Sequence, residues 1–152
     1  MFENNDITTP LSKRRGLGAS LRLVYHLYGK LLQRHLAGSG LSMAQYVHLR
    51  TLKEEGPVSQ SELSARMGIE KASSTRVLDE LAQKNLISRE RHQKDRRMII
   101  VSLTGDGRRK IDHAMNRARS VANLALEDFE EEELLQLYSA LDKLIENLSS
   151  KS

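Results

Sequence analysis

The densest run of chemically active side chains lies in "RERHQKDRRMIIVSLTGDG", Arg89 to Gly107, where five Arg or Lys residues fall in the first nine positions. Neighbouring like charges repel, so folding by itself gives no reason to gather them. Guanidinium and ammonium groups at this density suit a polyanion, whose phosphates would supply the missing counter-charge; the alternative is a solvated hairpin tip. The wider distribution is equally uneven. Residues 86–119 hold ten Lys or Arg against four acids and residues 120–152 hold two against eight, balances of +6 and −6 within a chain of net charge +4.

Other chemistry is poorly provided for. The histidines, His26, His35, His48, His92 and His113, show no short metal-ligand spacing. There is no Walker loop, no Gly-x-Ser-x-Gly and no His-Glu-x-x-His, and "GDGRRK" is not expected to follow a strand and open a helix as a dinucleotide site does. No catalytic residue, metal site or cofactor is therefore expected. The chain has no cysteine, which excludes disulfides and thiol-based sensing and suits a reducing cytoplasm.

The elements that must carry the basic run can be read from size and periodicity. With 152 residues the chain makes one domain, and with 39% hydrophobic residues but two Phe and no Trp its core must be aliphatic, which favours helices over a sandwich. No 18-residue apolar run exists, and the start, "MFENNDITTPLSKRRG", lacks an apolar core of its own, so neither a membrane span nor a signal peptide is expected. Residues to about Ser12 are polar and aperiodic. From Leu17, the spacing of Leu21, Val24, Tyr28 and Leu31 predicts a long amphipathic helix, and Leu23, Leu27 and Leu32 add a second stripe. A helix with two apolar faces needs two things to pack on, and one of them can be another subunit.

"GSG" at Gly38 to Gly40 ends that helix, and Ser42 can cap a second, through Val47, Leu49 and Leu52 to about Glu55. Ser59 and Glu62 have capping-box spacing for a short helix from Gln60 to Met67, ended by Gly68. "IEKASSTRVLDELAQKNLI" predicts the next helix, with Ile69, Val77, Leu78 and Leu81 inward and Glu70, Lys71, Ser74, Thr75 and Asp79 outward. Two short helices about a Gly-containing turn form a helix-turn-helix pattern. The strand-forming runs on either side of "HQKDRR" then predict a two-stranded ribbon with a charged tip, which completes a winged helix. Thr104 can cap a long following helix with Ile111, Met115, Ala118 and Ala122 on one stripe. In the last, "EDFEEEEL" places carboxylates at the positive end of the macrodipole, and Leu134, Leu137, Leu141, Leu144 and Leu148 repeat at three or four.

In its order of motifs, "LSMAQYVHLRTL", "SQSELSARMGIEKASSTRVLDELAQKNLISRE" and "KDRRMIIVSLTGDGRR", the chain resembles the MarR family of winged-helix transcriptional regulators, and within it the SlyA-like branch. The resemblance runs from Leu17 to Leu148. Asp95 to Arg97 followed by a strand and Leu-Thr corresponds to the family's wing, and "EKASSTRVLDEL" to its recognition helix. Asn85 stands where a Gly is usual and also tolerates a left-handed conformation. The resemblance implies a mostly α fold with a small β-ribbon wing, a winged helix over residues 42–104, and dimerisation helices over residues 13–37 and 105–148.

It also implies a homodimer on double-stranded DNA, cytoplasmic and acting as a repressor. In such proteins the wing tip enters the minor groove, where negative potential is concentrated. Arg97 is the expected inserted residue and Arg96 the supporting or phosphate-facing one, although the two can exchange roles. Lys94 joins them, and Asp95 would hold a wing arginine extended. On the recognition helix, Ser73, Ser74, Thr75 and Arg76 are expected at phosphates and base edges and Lys71 at the backbone. Arg76 can pair with guanine through two parallel bonds, or with Glu80 along its own helix. Ser59 serves as a cap that can also meet phosphate. Family members also sense small aromatic acids or phenols, for which Arg22, Tyr25, His26, Tyr46 and His48 are the candidate contacts. A winged helix used only for protein contact, as an adaptor or antirepressor, is the rival reading, against which the basic wing argues.

Overall fold

The computed structural model describes residues 10–151. In chain order they form α1 (Leu11–Arg15), α2 (Leu17–Leu36), α3 (Met43–Glu55), β1 (Val58–Ser59), α4 (Gln60–Met67), α5 (Lys71–Gln83), β2 (Ile87–Arg91), β3 (Ile99–Leu103), α6 (Gly105–Ala125) and α7 (Glu131–Ser149). This is the mostly α winged helix expected. The irregular start expected to reach Ser12 lies largely outside the described residues; inside them, Leu11–Arg15 is already helical. The chain divides into two units, residues up to Val121 and residues from Ala122 onward.

In the first unit, local signals set the helix ends. Ser42 and Gln45 form a complete capping box on α3. Ser59 Oγ accepts from the Glu62 N–H at 3.1 Å, but the Glu62 carboxylate turns to Arg66, so only half of that box forms. Gly68, at φ 65°, closes α4 in the left-handed region. Asn85, at φ 57°, does the same where α5 gives way to β2.

The sheet has three strands in the order β1-β3-β2. Its ribbon pairs Ile87 with Leu103 and Arg91 with Ile99. The third strand is unforeseen: Val58 and Ser59 pair with Val101 and Ile100 and anchor the ribbon to the start of α4. At the base of the ribbon, Thr104 Oγ1 accepts from the Gly107 N–H at 2.9 Å, the cap expected for α6, and donates to the Asn85 carbonyl at 2.7 Å. Contrary to expectation, "GDGRRK" does follow a strand and open a helix. Yet a Cβ on Gly107 would lie 1.9 Å from the Leu86 carbonyl oxygen, so this helical turn is packed on the chain itself and has no room for a pyrophosphate.

The core is aliphatic, with Leu49, Leu63, Leu78, Leu81, Val101, Ile111 and Val121 excluded from solvent. Ile69 and Val77 are only half-buried, and Val47 is exposed. On α2 the buried residues are Gly29, Leu32 and Leu36, near its C-terminal end. Leu17, Leu21, Leu23, Val24 and Leu27 remain exposed. In the second unit, α7 begins with a capping box between Glu130 and Glu133 and has no buried residue. Leu134, Leu137, Leu141 and Leu144 are half-buried, whereas Leu135, Tyr138, Ile145 and Leu148 are exposed.

Candidate nucleic-acid interface

The face of α5 is decided by which residues it buries. Ser74, Leu78 and Leu81, at four and three residues apart, point inward. Lys71, Ala72, Ser73 and Arg76 are exposed. Ser74, expected outside among the DNA contacts, is therefore a correction: its hydroxyl lies 3.1 Å from His48 Nε2 in the core. Thr75 is half-buried. Its Oγ1 donates to the Lys71 carbonyl at 2.8 Å and accepts from Gln60 Nε2 at 3.0 Å, so it too is engaged internally. The signal was present in the spacing, which puts residue 74 on the Leu78 and Leu81 stripe. A serine's polarity argued the other way, and the buried histidine that satisfies it comes from another helix.

Arg76 makes no pair with Glu80. Gln45 Nε2 donates to Glu80 Oε2 at 2.8 Å instead, leaving Arg76 without an ion pair among the described residues. A residue the sequence did not single out joins wing to helix. Arg89, in β2, donates through Nη1 to Asp79 Oδ1 at 2.6 Å and through Nη2, more distantly, to the Thr75 carbonyl at 3.5 Å.

At the wing tip the chain reverses by backbone bonds, His92 N–H to the Met98 carbonyl at 2.9 Å and Met98 N–H to the Asp95 carbonyl at 3.0 Å. Asp95 does hold Arg97, but by its main chain: Asp95 Oδ1 accepts from the Arg97 N–H at 3.0 Å. The Asp95 N–H in turn donates to His92 Nδ1 at 3.2 Å. Asp95 thus shapes the turn and leaves the guanidinium groups to solvent, which revises the role expected of it. Lys94, Arg96 and Arg97 are all exposed. With Lys71 and Arg76 they make five cations that have no ion-pair partner among the described residues. Ser59 is buried as the α4 cap and is occupied in that role.

One chain does not bring together the five residues expected at a ligand. Arg22, Tyr25 and His26 are exposed on α2, whereas Tyr46 and His48 are buried on α3. Burial pushes the Tyr46 phenol up, opposed by the positive charge of Arg50 nearby. His48 has both ring nitrogens engaged, Nδ1 at 2.7 Å from the Ala44 carbonyl and Nε2 on Ser74. Burial holds its imidazole below the ordinary value. His48 is therefore a core residue, and the polarity that suggested a ligand contact serves the packing of α3 on α5.

A model of the MarR family matches residues 41–99, from the residue pair before α3 to the first residue of β3. Over 125 residues the chain is 32% identical to the HTH-type transcriptional repressor MdtR of Bacillus subtilis, spanning 82% of this chain and 81% of that protein. It is 27% identical over 139 residues to the repressor NicR of Pseudomonas putida, spanning 91% and 88%. Among solved structures, a mutant MarR from E. coli complexed with operator DNA has a TM-score of 0.79 at 21% identity, covering 90% of this chain and 99% of that one. Bordetella bronchiseptica BpsR, whose structure addresses regulation of its DNA binding by 6-hydroxynicotinic acid, has a TM-score of 0.78 at 24% identity, covering 90% and 97%. The likeness to these two structures is one of fold.

Proposed function

The chain belongs to the MarR family, and from that membership we propose that it is a transcriptional repressor that binds a pseudo-palindromic operator as a homodimer in the cytoplasm. The observation that carries this reading is the set of five exposed cations on the wing tip and the outer face of α5, Lys71, Arg76, Lys94, Arg96 and Arg97, which have no ion-pair partner among the described residues. An α-helix fits the major groove, where Arg76 and Ser73 would meet base edges, while the wing arginines would enter the adjacent minor groove. Apolar residues left exposed on α2 and α7 support a second copy as partner, because monomers rarely leave such surface open. Two-fold symmetry then sets half-site centres about 10 to 10.5 base pairs apart.

The reading extends to a small aromatic acid or phenol that releases the operator. Arg22, Tyr25 and His26 are the candidates for it that remain exposed, and a carboxylate would pair with Arg22. The decisive experiment is footprinting of genomic DNA bound by the full chain. A palindromic motif, bound with an affinity that falls steeply with salt at roughly −0.9 in log-log slope per phosphate contact, is expected. Binding indifferent to sequence and to salt would overturn the reading.

A further inference from the structure

We infer that His48 is a positioning residue for base readout: by accepting the Ser74 hydroxyl hydrogen bond, it fixes the rotation of α5 and so decides which groups Ser73 and Arg76 present to a duplex. This rests on the DNA-binding role proposed above. The Ala44 carbonyl, 2.7 Å from His48 Nδ1, can only accept, so that nitrogen carries the proton. Nε2 then offers a lone pair, and Ser74 Oγ–H donates to it across 3.1 Å. His48 is 2% and Ser74 1% exposed, so water does not compete for either group.

The rest of the contact between α3 and α5 does not fix rotation as tightly. Leu78 and Leu81 pack without directional preference, whereas a hydrogen bond weakens steeply away from linearity. Gln60 on Thr75, Gln45 on Glu80, Lys84 on Gln45 and Arg89 on Asp79 also hold α5, but Thr75 and Gln60 are half-buried and Glu80, Lys84 and Asp79 are exposed, so water can replace these bonds. The lever is short. With side chains a helix has a radius of about 5 to 6 Å, so a 20° rotation moves its surface by about 2 Å. That is enough to take an Arg out of bidentate range of a base, while a flexible cation still follows a phosphate.

The test uses the full-length protein, a randomised duplex library, and sequencing of the bound fraction. Ser74→Ala and the double variant His48→Leu/Ser74→Ala are compared with the unaltered chain. Ser74→Ala leaves His48 Nε2 buried without a partner and should melt lower; the double variant removes both polar groups and should regain thermal stability. Both should lose the selected base preference by about tenfold while keeping the same salt dependence. Stability that recovers while preference stays lost is an outcome that a merely structural role does not produce. If either variant melts cooperatively and keeps the preference, the inference fails. If the unaltered chain itself enriches no sequence, the DNA-recognition reading fails and takes this inference with it.

Discussion

Arg89 Nη1 lies 2.6 Å from Asp79 Oδ1, joining the first strand of the wing to the helix beside it. The Asp79 side chain is 52% exposed, so the pair contributes about 1 kcal/mol or less to stability. On the proposed function its importance is geometric, because wing and helix would address neighbouring grooves as one body. Arg89→Ala should lower Tm by only about 2 to 4 °C yet weaken operator binding several-fold. Asp79→Ala should match it and the double variant should be no worse, as a double-mutant cycle by calorimetry and fluorescence anisotropy will show.

The proposed function divides the exposed cations by task. Arg97→Ala should weaken binding to all duplexes and reduce the salt slope by about one contact's worth, roughly 0.9. Arg76→Ala should cost about 1 to 3 kcal/mol at one base position and relax preference there. Competition titrations with single-base operator variants separate the two. Equal effects on operator and unrelated DNA from both substitutions would contradict the assignment.

Two glycines two positions apart in "TGDG" have opposite tolerance. A Cβ on Gly105 would meet Arg109 Nη1 at an ordinary 3.6 Å, whereas one on Gly107 would collide with the Leu86 carbonyl. Gly105→Ala should be neutral or slightly stabilising. Gly107→Ala should cost about 3 kcal/mol or more, because strand and helix must separate to admit the methyl group. Thermal melts of the two variants measure the contrast.

His48 gives stability a definite pH dependence. Its folded pKa is held below the unfolded value by burial, so the unfolded chain binds the extra proton between the two. Its contribution is complete above about pH 6.5 and is lost as pH falls through the folded value. His48→Gln should remove that part of the acid-side decline, which denaturant melts between pH 5 and 8 can resolve. A decline of unchanged size would assign it to other groups.

Leu135 and Ile145 are exposed on α7 and can take charge without disturbing a single-chain core. Leu135→Asp/Ile145→Asp should therefore keep helical circular dichroism while converting a homodimer to monomers and abolishing operator binding. Light scattering at micromolar concentration provides the measure, and a variant that remains dimeric and binds normally would exclude α7 from the interface.

The features legible in the sequence are those settled by residues close along the chain. Ser42, Ser59, Gly68 and Thr104 mark helix ends because a cap acts over three residues or a single φ angle, and each does so in the fold. The charged wing tip was equally readable, since the run of cations is local and stays solvated. What tertiary structure decided are the pairings between distant segments. The strand at Val58 exists because Val101 lies opposite it, not because two residues have any strong preference for a strand. Ser74 faces inward because His48, on another helix, satisfies its hydroxyl there, which outweighs the desolvation that would otherwise send it to the surface. Arg89 leaves the wing's cations for Asp79, and Glu80 leaves Arg76 for Gln45. Residue type states what each side chain can bond, but only the folded chain decides which partner comes within reach.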